Sequence, residues 1–444
     1  KDHRPYGFVL AFALSGGDVS ILGGTIRATA GELDITSGHS LVVADGAVLE
    51  TPGYAKSFGD SADPFTLSAP GGLLHLTALD GNIDLQTGSL LSVGGGKGRA
   101  GTLAFTATKG EVSFNGTLDT SAPDAGGSFV LDVGGGFDLD AFQSGLAQNF
   151  TGSIDIHTRS GDLTLSDGRT LTADNVYLTA DGGLVDIGGT IDVSGVSGGD
   201  VALFGLGGVT LESTAVIDAH ADGYADDDVR QAHGGVVQIG ADGDGVINVL
   251  SGARIDVSAR RTGDRLIPTV RNGTTYYSYA PADLGGVVAF RAPIIGDSTN
   301  ATVNISYAGS IDGASSVVLE AFRHFDLGEI ATDPDYVGVT VNADGQVVLD
   351  VGATGTAGQL KWLGDNGAGT LVDFVQGFKL ADSMGAQLGG LTTSAVFHAR
   401  PGMELDFGGD IVLNSHWNLG AGTLAIAQAY ADQTPDRKST RPPS

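Results

Sequence analysis

The sequence predicts an all-β chain, a right-handed parallel β-helix (a solenoid) with loop insertions, and three observations predict it. Glycine supplies 72 of the 444 residues, about 16 % against the roughly 7 % usual in proteins, with no Gly-X-Y period. The 52 acids are 45 Asp and seven Glu, and Asp favours turns and caps where Glu favours helix interiors. Short runs rich in Thr, Val and Ile alternate apolar and polar side chains between Gly, Asp, Asn and Ser, as short strands do. At 41 % hydrophobic residues the chain is too apolar to stay disordered.

Two half-motifs return along the chain. The first is an apolar residue, Asp, any residue, then Ser or Thr: "ELDITS" at 32, "TLDTSA" at 117, "SIDIHT" at 153, "TIDVSG" at 190, "RIDVSA" at 254. The second is a small pair followed by alternation: "GGLLHL" at 71, "AGTLAF" at 100, "GGDVAL" at 198, "GGVVQI" at 234, "GGVVAF" at 285. Uninterrupted gaps from second to first are 18, 19 and 21 residues, which reads as a solenoid period near 20. A sandwich or propeller uses similar strands but repeats no local phrase. About 15 to 18 coils rising roughly 4.8 Å each would make a rod of roughly 70 to 90 Å. Val201, Leu203, Val236 and Val288 should face inward. In "TIDVSGVSGGDVALFG", Ile191 and Val193 should point inward, Asp192 outward, and Gly198-Gly199 should turn the chain. Asp119, Asp192, Asp218 and Asp256 would form an acidic ladder if they fell on one line.

In chain order, residues 1–14 are read as an N-terminal edge, 15–430 as a single rod and 431–444 as a polar, disordered tail. Insertions near 51–70, 136–150, 219–233, 259–284 and 376–390 interrupt the period and should loop out, where binding usually sits. The chain opens on Lys1, without Met or a signal peptide, so the expectation is an internal piece of a longer polypeptide. "GFVLAFAL" at 7 is too short to span a bilayer. The net charge of −29 argues against nucleic acid or an anionic membrane as partner. The absence of cysteine removes disulfides and thiolate metal sites and suits a chain exported unfolded.

The "IDVSG…GGDVAL" phrasing resembles the large exoproteins of the filamentous haemagglutinin family, which bacteria secrete by the two-partner pathway. "HARPGMELDFGGDIVLNSHWNLGAGTLAIAQA", from His398, looks like a module in the C-terminal part of many of them. The resemblance implies a β-helical adhesin, secreted or on the bacterial surface and exported through an outer-membrane transporter. Its partners would be host, neighbouring-cell or matrix receptors or glycans, with self-association a further option. The family's secretion domain carries Asn-Pro motifs, and this chain has none.

The most distinctive insertion is "RRTGDRLIPTVRNGTTYYSYAPADLGG", where Arg271, Tyr276, Tyr277 and Tyr279 form the candidate binding surface because Tyr and Arg dominate binding hot spots. The alternative is a loop packed back on the rod. Asp218, Asp222, Asp226, Asp227 and Asp228, with His220 and His233, form the candidate metal cluster, whose carboxylates suit Ca2+ and whose imidazoles suit zinc. A solvated acidic loop is the alternative, and no other cofactor is expected. Asp242 and Asp244 begin like an EF-hand loop but lack its later ligands. "GGGKGRAG" at 94 lacks the Walker Gly-Lys-Ser/Thr ending. Sequons at Asn115, Asn149, Asn272, Asn300 and Asn304 suit modification or chance alike. No catalytic constellation emerges. Arg254, Arg260, Arg261 and Asp264 suggest a glycan-active β-helical enzyme only through fold analogy. The expectation is a non-enzymatic structural and adhesive segment, with a subunit of a surface layer or matrix filament as the other alternative.

Overall fold

A computed structural model describes residues 8–59, 65–123, 126–295, 302–333, 336–349, 361–362 and 387–413. The tail 431–444, Asn300, most of the 376–390 insertion and the haemagglutinin-like stretch beyond Leu413 lie outside them. The described residues are mostly strand, in long parallel sheets. They divide into two compact units, one from 1–292, 304–319 and 388–398, the other from 293–303, 320–387 and 399–444.

In the first unit a long sheet collects Val9–Leu14, Glu32–Ser37, Leu73–Ala78, Thr102–Ala107, Ser128–Val133, Ser153–Thr158, Asn175–Ala180, Asp200–Gly205, Val236–Ala241 and Val287–Ile295, all parallel and in chain order. Between consecutive long strands the chain usually lays down two short ones, which build four further parallel sheets, two before and two after the helix described below. Leu184–Ile187 with Gly208–Leu211, and Thr190–Asp192 with Val216–Asp218, are examples. Ser153 pairs with Asn175 and Asn175 with Asp200, so one return takes 22 or 25 residues. The gaps of 18 to 21 residues therefore measured only the part of a return from the long strand to the Asp corner. At roughly 4.8 Å between strands, these ten extend about 45 Å.

Parallel register stacks like on like. Ile154, Val176, Val201, Val237 and Val288 form one buried column, and Ile156, Leu178, Leu203, Ile239 and Phe290 the next. Each such side chain contributes about 1.5–3 kcal/mol by leaving water. Val236 was expected inward, but it pairs with Asp200 and Val287 on the outward parity, and Val237 takes the core position. Two consecutive valines hide the parity that the alternation otherwise reveals.

The glycine pairs do not turn the chain. Gly199 leads directly into the strand at Asp200, and the bend falls earlier, at Val196 and Ser197. What the pair supplies is closeness. A Cβ would lie 1.9 Å from the Gly31 carbonyl oxygen at Gly72, 1.9 Å from that of Gly72 at Gly101, 2.0 Å from that of Gly199 at Gly235, and 2.0 Å from that of Gly235 at Gly286. The same carbonyls accept ladder bonds: Leu73 N donates to Gly31 O, Thr102 N to Gly72 O and Val287 N to Gly235 O. A column of hydrogen-bonded backbone thus runs where no side chain fits.

The 136–150 insertion folds inward, not outward. Leu139–Gly145 is a helix whose N-cap Asp138 accepts from Ala141 N at 2.8 Å, and Leu139, Phe142 and Phe150 are buried. Phe129 meets the rings of Phe142 and Phe150 at 4.7 and 5.0 Å. The helix stands where other returns place a short strand, and there the short sheets break into an earlier and a later set.

The second unit has its own apolar cluster of Leu327, Ile330, Val339, Val347 and Leu349, with Phe325, Leu405 and Phe407 against it. Val339–Val341 and Val347–Leu349 pair antiparallel, and Ile411–Leu413 joins parallel. Among the described residues no helix is long and apolar enough to cross a membrane.

Candidate functional site

At Asp119, Asp192 and Asp256 the Asp of the repeated phrase closes a corner. Asp192 accepts from Ser194 N at 3.0 Å and Ser194 Oγ at 2.7 Å, Asp256 from Ser258 N at 2.9 Å, and Asp119 from Ser121 N at 3.1 Å. These are Asx-turns, in which the carboxylate satisfies the amide two residues on. Asp192, Asp218, Asp256 and Asp312 stand in register. Asp119 does not join them; it pairs with Ser92 in the earlier short sheet.

Basic side chains relieve the repulsion along this column. Arg254 reaches Asp256 through Nη2 at 2.6 Å and Asp312 through Nε at 2.6 Å. His220 sits 2.5 Å from Asp218 through Nδ1 and 3.3 Å from Asp222 through Nε2. The Asp218 hydrogen bond raises the His220 pKa above its ordinary value, against the opposing effect of burial. Burial pushes the Asp256 carboxyl up, but hydrogen bonds from Ser258 and the Arg254 guanidinium prevail and hold it low.

The five candidate metal ligands do not converge on one point. Asp218, His220 and Asp256 bring ligand atoms within 4.8 Å of one another, and Asp222 touches that group through His220. Asp226 instead lies 3.3 Å from Arg260 and 3.6 Å from Arg265, Asp228 pairs with Arg230 at 2.6 Å, and Asp227 and His233 are exposed. Asp242 accepts from Gly243 N, and the Asp244 carbonyl accepts from Asn304 Nδ2, as in a pinned turn.

The tyrosine insertion is an antiparallel hairpin, Arg265–Arg271 with Thr274–Ala280. Asn272 and Gly273 have φ of 51° and 77°, the two positive values a type I′ turn requires. Pairing puts Leu266, Pro268, Val270, Tyr277 and Tyr279 on one face, and Arg271 with Tyr276 on the other. Tyr277 is 66 % exposed, Tyr279 59 %, Leu266 64 % and Val270 68 %. The tyrosines are therefore not packed back on the sheets, which removes that alternative for their rings.

At the hairpin's foot lies a cleft of about 290 Å³, lined by Tyr224, Asp226, Arg260, Arg261, Thr262, Gly263, Asp264, Arg265 and Asp283. Tyr279 Oη donates to Asp264 at 2.5 Å, and this bond holds the Asp264 carboxyl low. The Arg230 guanidinium lies 4.0 Å over the Tyr224 ring. Arg261 and Asp283 are buried, 3.9 Å apart; Asp283 also accepts from Ala232 N at 2.9 Å and Arg261 N at 3.1 Å. Sequence reasoning singled out the arginines but missed Tyr224 and Asp283, which come from two different insertions.

No protein-family model matches the chain, and neither a curated protein nor a solved structure does.

Proposed function

We propose that the strands of the first unit are coils of a right-handed parallel β-helix and that the chain is a non-enzymatic, adhesive segment of a large secreted bacterial surface protein, as the filamentous haemagglutinin resemblance implies. The long sheet and the short sheets in parallel register, the buried columns and the backbone glycine column support the β-helix. The observation that carries adhesion is the hairpin face of Leu266, Val270, Tyr277 and Tyr279, all more than half exposed. Aromatic anchors on a rigid scaffold suit binding to a receptor or glycan surface. The immobilised chain should retain cells or matrix. Tyr277→Ser with Tyr279→Ser should cut retention at least tenfold at unchanged melting temperature. No retention by the wild type, or equal retention by the double variant, overturns the adhesive reading, and helix-rich circular dichroism overturns the β-helix.

A further inference from the structure

We propose that the cleft at the hairpin's foot binds a polyhydroxylated carboxylate, an acidic sugar unit of the uronate type. The inference rests on the adhesive reading and names the ligand class for the same region. Three guanidinium groups, from Arg260, Arg261 and Arg265, line one cleft in a chain where 23 basic residues face 52 acids. Beside the cleft carboxylates Asp226, Asp264 and Asp283, that many guanidinium forks suit an anion that also donates hydrogen bonds.

The guanidinium donors are not all used. The Arg261 side chain is 8 % exposed and donates through Nη1 to the Arg230 and Pro281 carbonyls, at 3.4 and 3.3 Å. Its Nη2 is shielded from solvent and has no hydrogen-bond partner among the described residues, and neither has Arg265 Nε. A buried donor left without a partner is costly, and guanidinium geometry matches a carboxylate's two oxygens. Asp226, on the exposed side of the cleft, accepts from Arg260 Nη2 at 3.3 Å and lies 3.6 Å from Arg265 Nη1, while its backbone carbonyl accepts from Arg265 Nη2 at 3.0 Å. A ligand carboxylate would take its place between those two side chains.

The acids in the cleft decide the rest of the ligand. Asp226, Asp264 and Asp283 would repel a bare divalent anion such as sulfate, but carboxylates accept hydrogen bonds from hydroxyl groups. Tyr224 adds an aromatic wall. A cleft of about 290 Å³ lies near the lower end of small-molecule sites, large enough for one sugar ring. A monocarboxylate bearing several hydroxyls meets all of these conditions.

Titration calorimetry and ligand-observed NMR of the full chain with glucuronate, glucose and sodium sulfate test the assignment. Glucuronate should bind while glucose and sulfate bind at least tenfold more weakly. Arg260→Gln and Arg265→Gln, both at partly exposed side chains, should each weaken glucuronate at least fivefold with melting temperature unchanged. Arg261→Gln should abolish binding, and if it misfolds the other two variants decide. Sulfate or glucose binding as well as glucuronate, or glucuronate affinity indifferent to Arg260 and Arg265, overturns the assignment. If glucuronate fails to bind while the tyrosine variants still abolish adhesion, this inference falls and the adhesive reading stands; the reverse result separates them the other way.

Discussion

At Gly199 an added Cβ would lie 1.7 Å from the Asp174 carbonyl oxygen. That oxygen belongs to the backbone of the neighbouring return and cannot swing aside, so room comes only from parting two strands. Gly199→Ala should therefore cost about 2–3 kcal/mol or more. Gly145→Ala has nothing within 4 Å and sits in a helix, so it should be neutral or stabilise by up to about 1 kcal/mol. Denaturant midpoints of the two variants check the contrast, and equal effects would remove the close-approach account. His220 offers a pH readout. Its folded-state pKa lies above the ordinary 6.5 because of Asp218. The stability it adds is therefore complete below that ordinary value and is lost as pH rises through the folded value. His220→Asn should be destabilised by about 0.5–1 kcal/mol at pH 5.5 and by less at pH 8.5, which thermal melts at the two pH values measure.

Among the elements, the helix Leu139–Gly145 and the hairpin 265–280 interrupt the same repeat with opposite consequences. The helix buries Leu139 and Phe142 under a phenylalanine cluster, so Phe142→Ala should cost about 3–5 kcal/mol. The hairpin keeps its apolar face in solvent, so its loss should barely register in global stability. Replacing Asn272-Gly273 with Ala-Ala removes the residues suited to positive φ. It should leave the melting temperature within about 2 °C, since little apolar surface is at stake, while proteolysis between Arg265 and Ala280 quickens. Limited digestion followed by mass spectrometry tests this. The hairpin left a local signal, Asn-Gly between alternating residues, although the sequence analysis places only an outward loop there. The helix also left a local trace, Asp138 before Leu139 and Phe142, but a break in the repeat carries no sign of whether the chain turns inward or outward there. The cleft was legible only by halves. Tyr224, Arg260 and Asp283 meet through strand stacking, and no spacing in the chain encodes that meeting.

At the scale of the whole molecule, the repeat conveyed parity and parallel stacking but not its own bookkeeping. The phrase marked corners, so its gaps gave a fraction of a return, and it could not tell that Asp119 and Asp192 belong to sheets separated by a helix. Charge was plain from composition, and its distribution explains why so acidic a chain folds. Acids on the outward parity are met one by one: Asp312 and Asp256 by Arg254, Asp132 and Asp181 by Arg159, Asp174 by Arg99. Only 23 bases serve 52 acids, so acid–acid repulsion outweighs acid–base attraction over the chain. Burial, reinforced by Glu212 and Asp162, raises the Asp186 carboxyl, and burial likewise raises Asp155. Exposed ion pairs are worth little individually, whereas the repulsion sums over the surface. Raising salt from 0.01 to 0.1 M shortens the screening length from about 30 to about 10 Å, which weakens long-range repulsion more than contacts under 4 Å. The melting temperature should therefore climb by several degrees across that range in scanning calorimetry. A fall would mean that the arginine pairs, not acid–acid repulsion, govern the electrostatic balance of the fold.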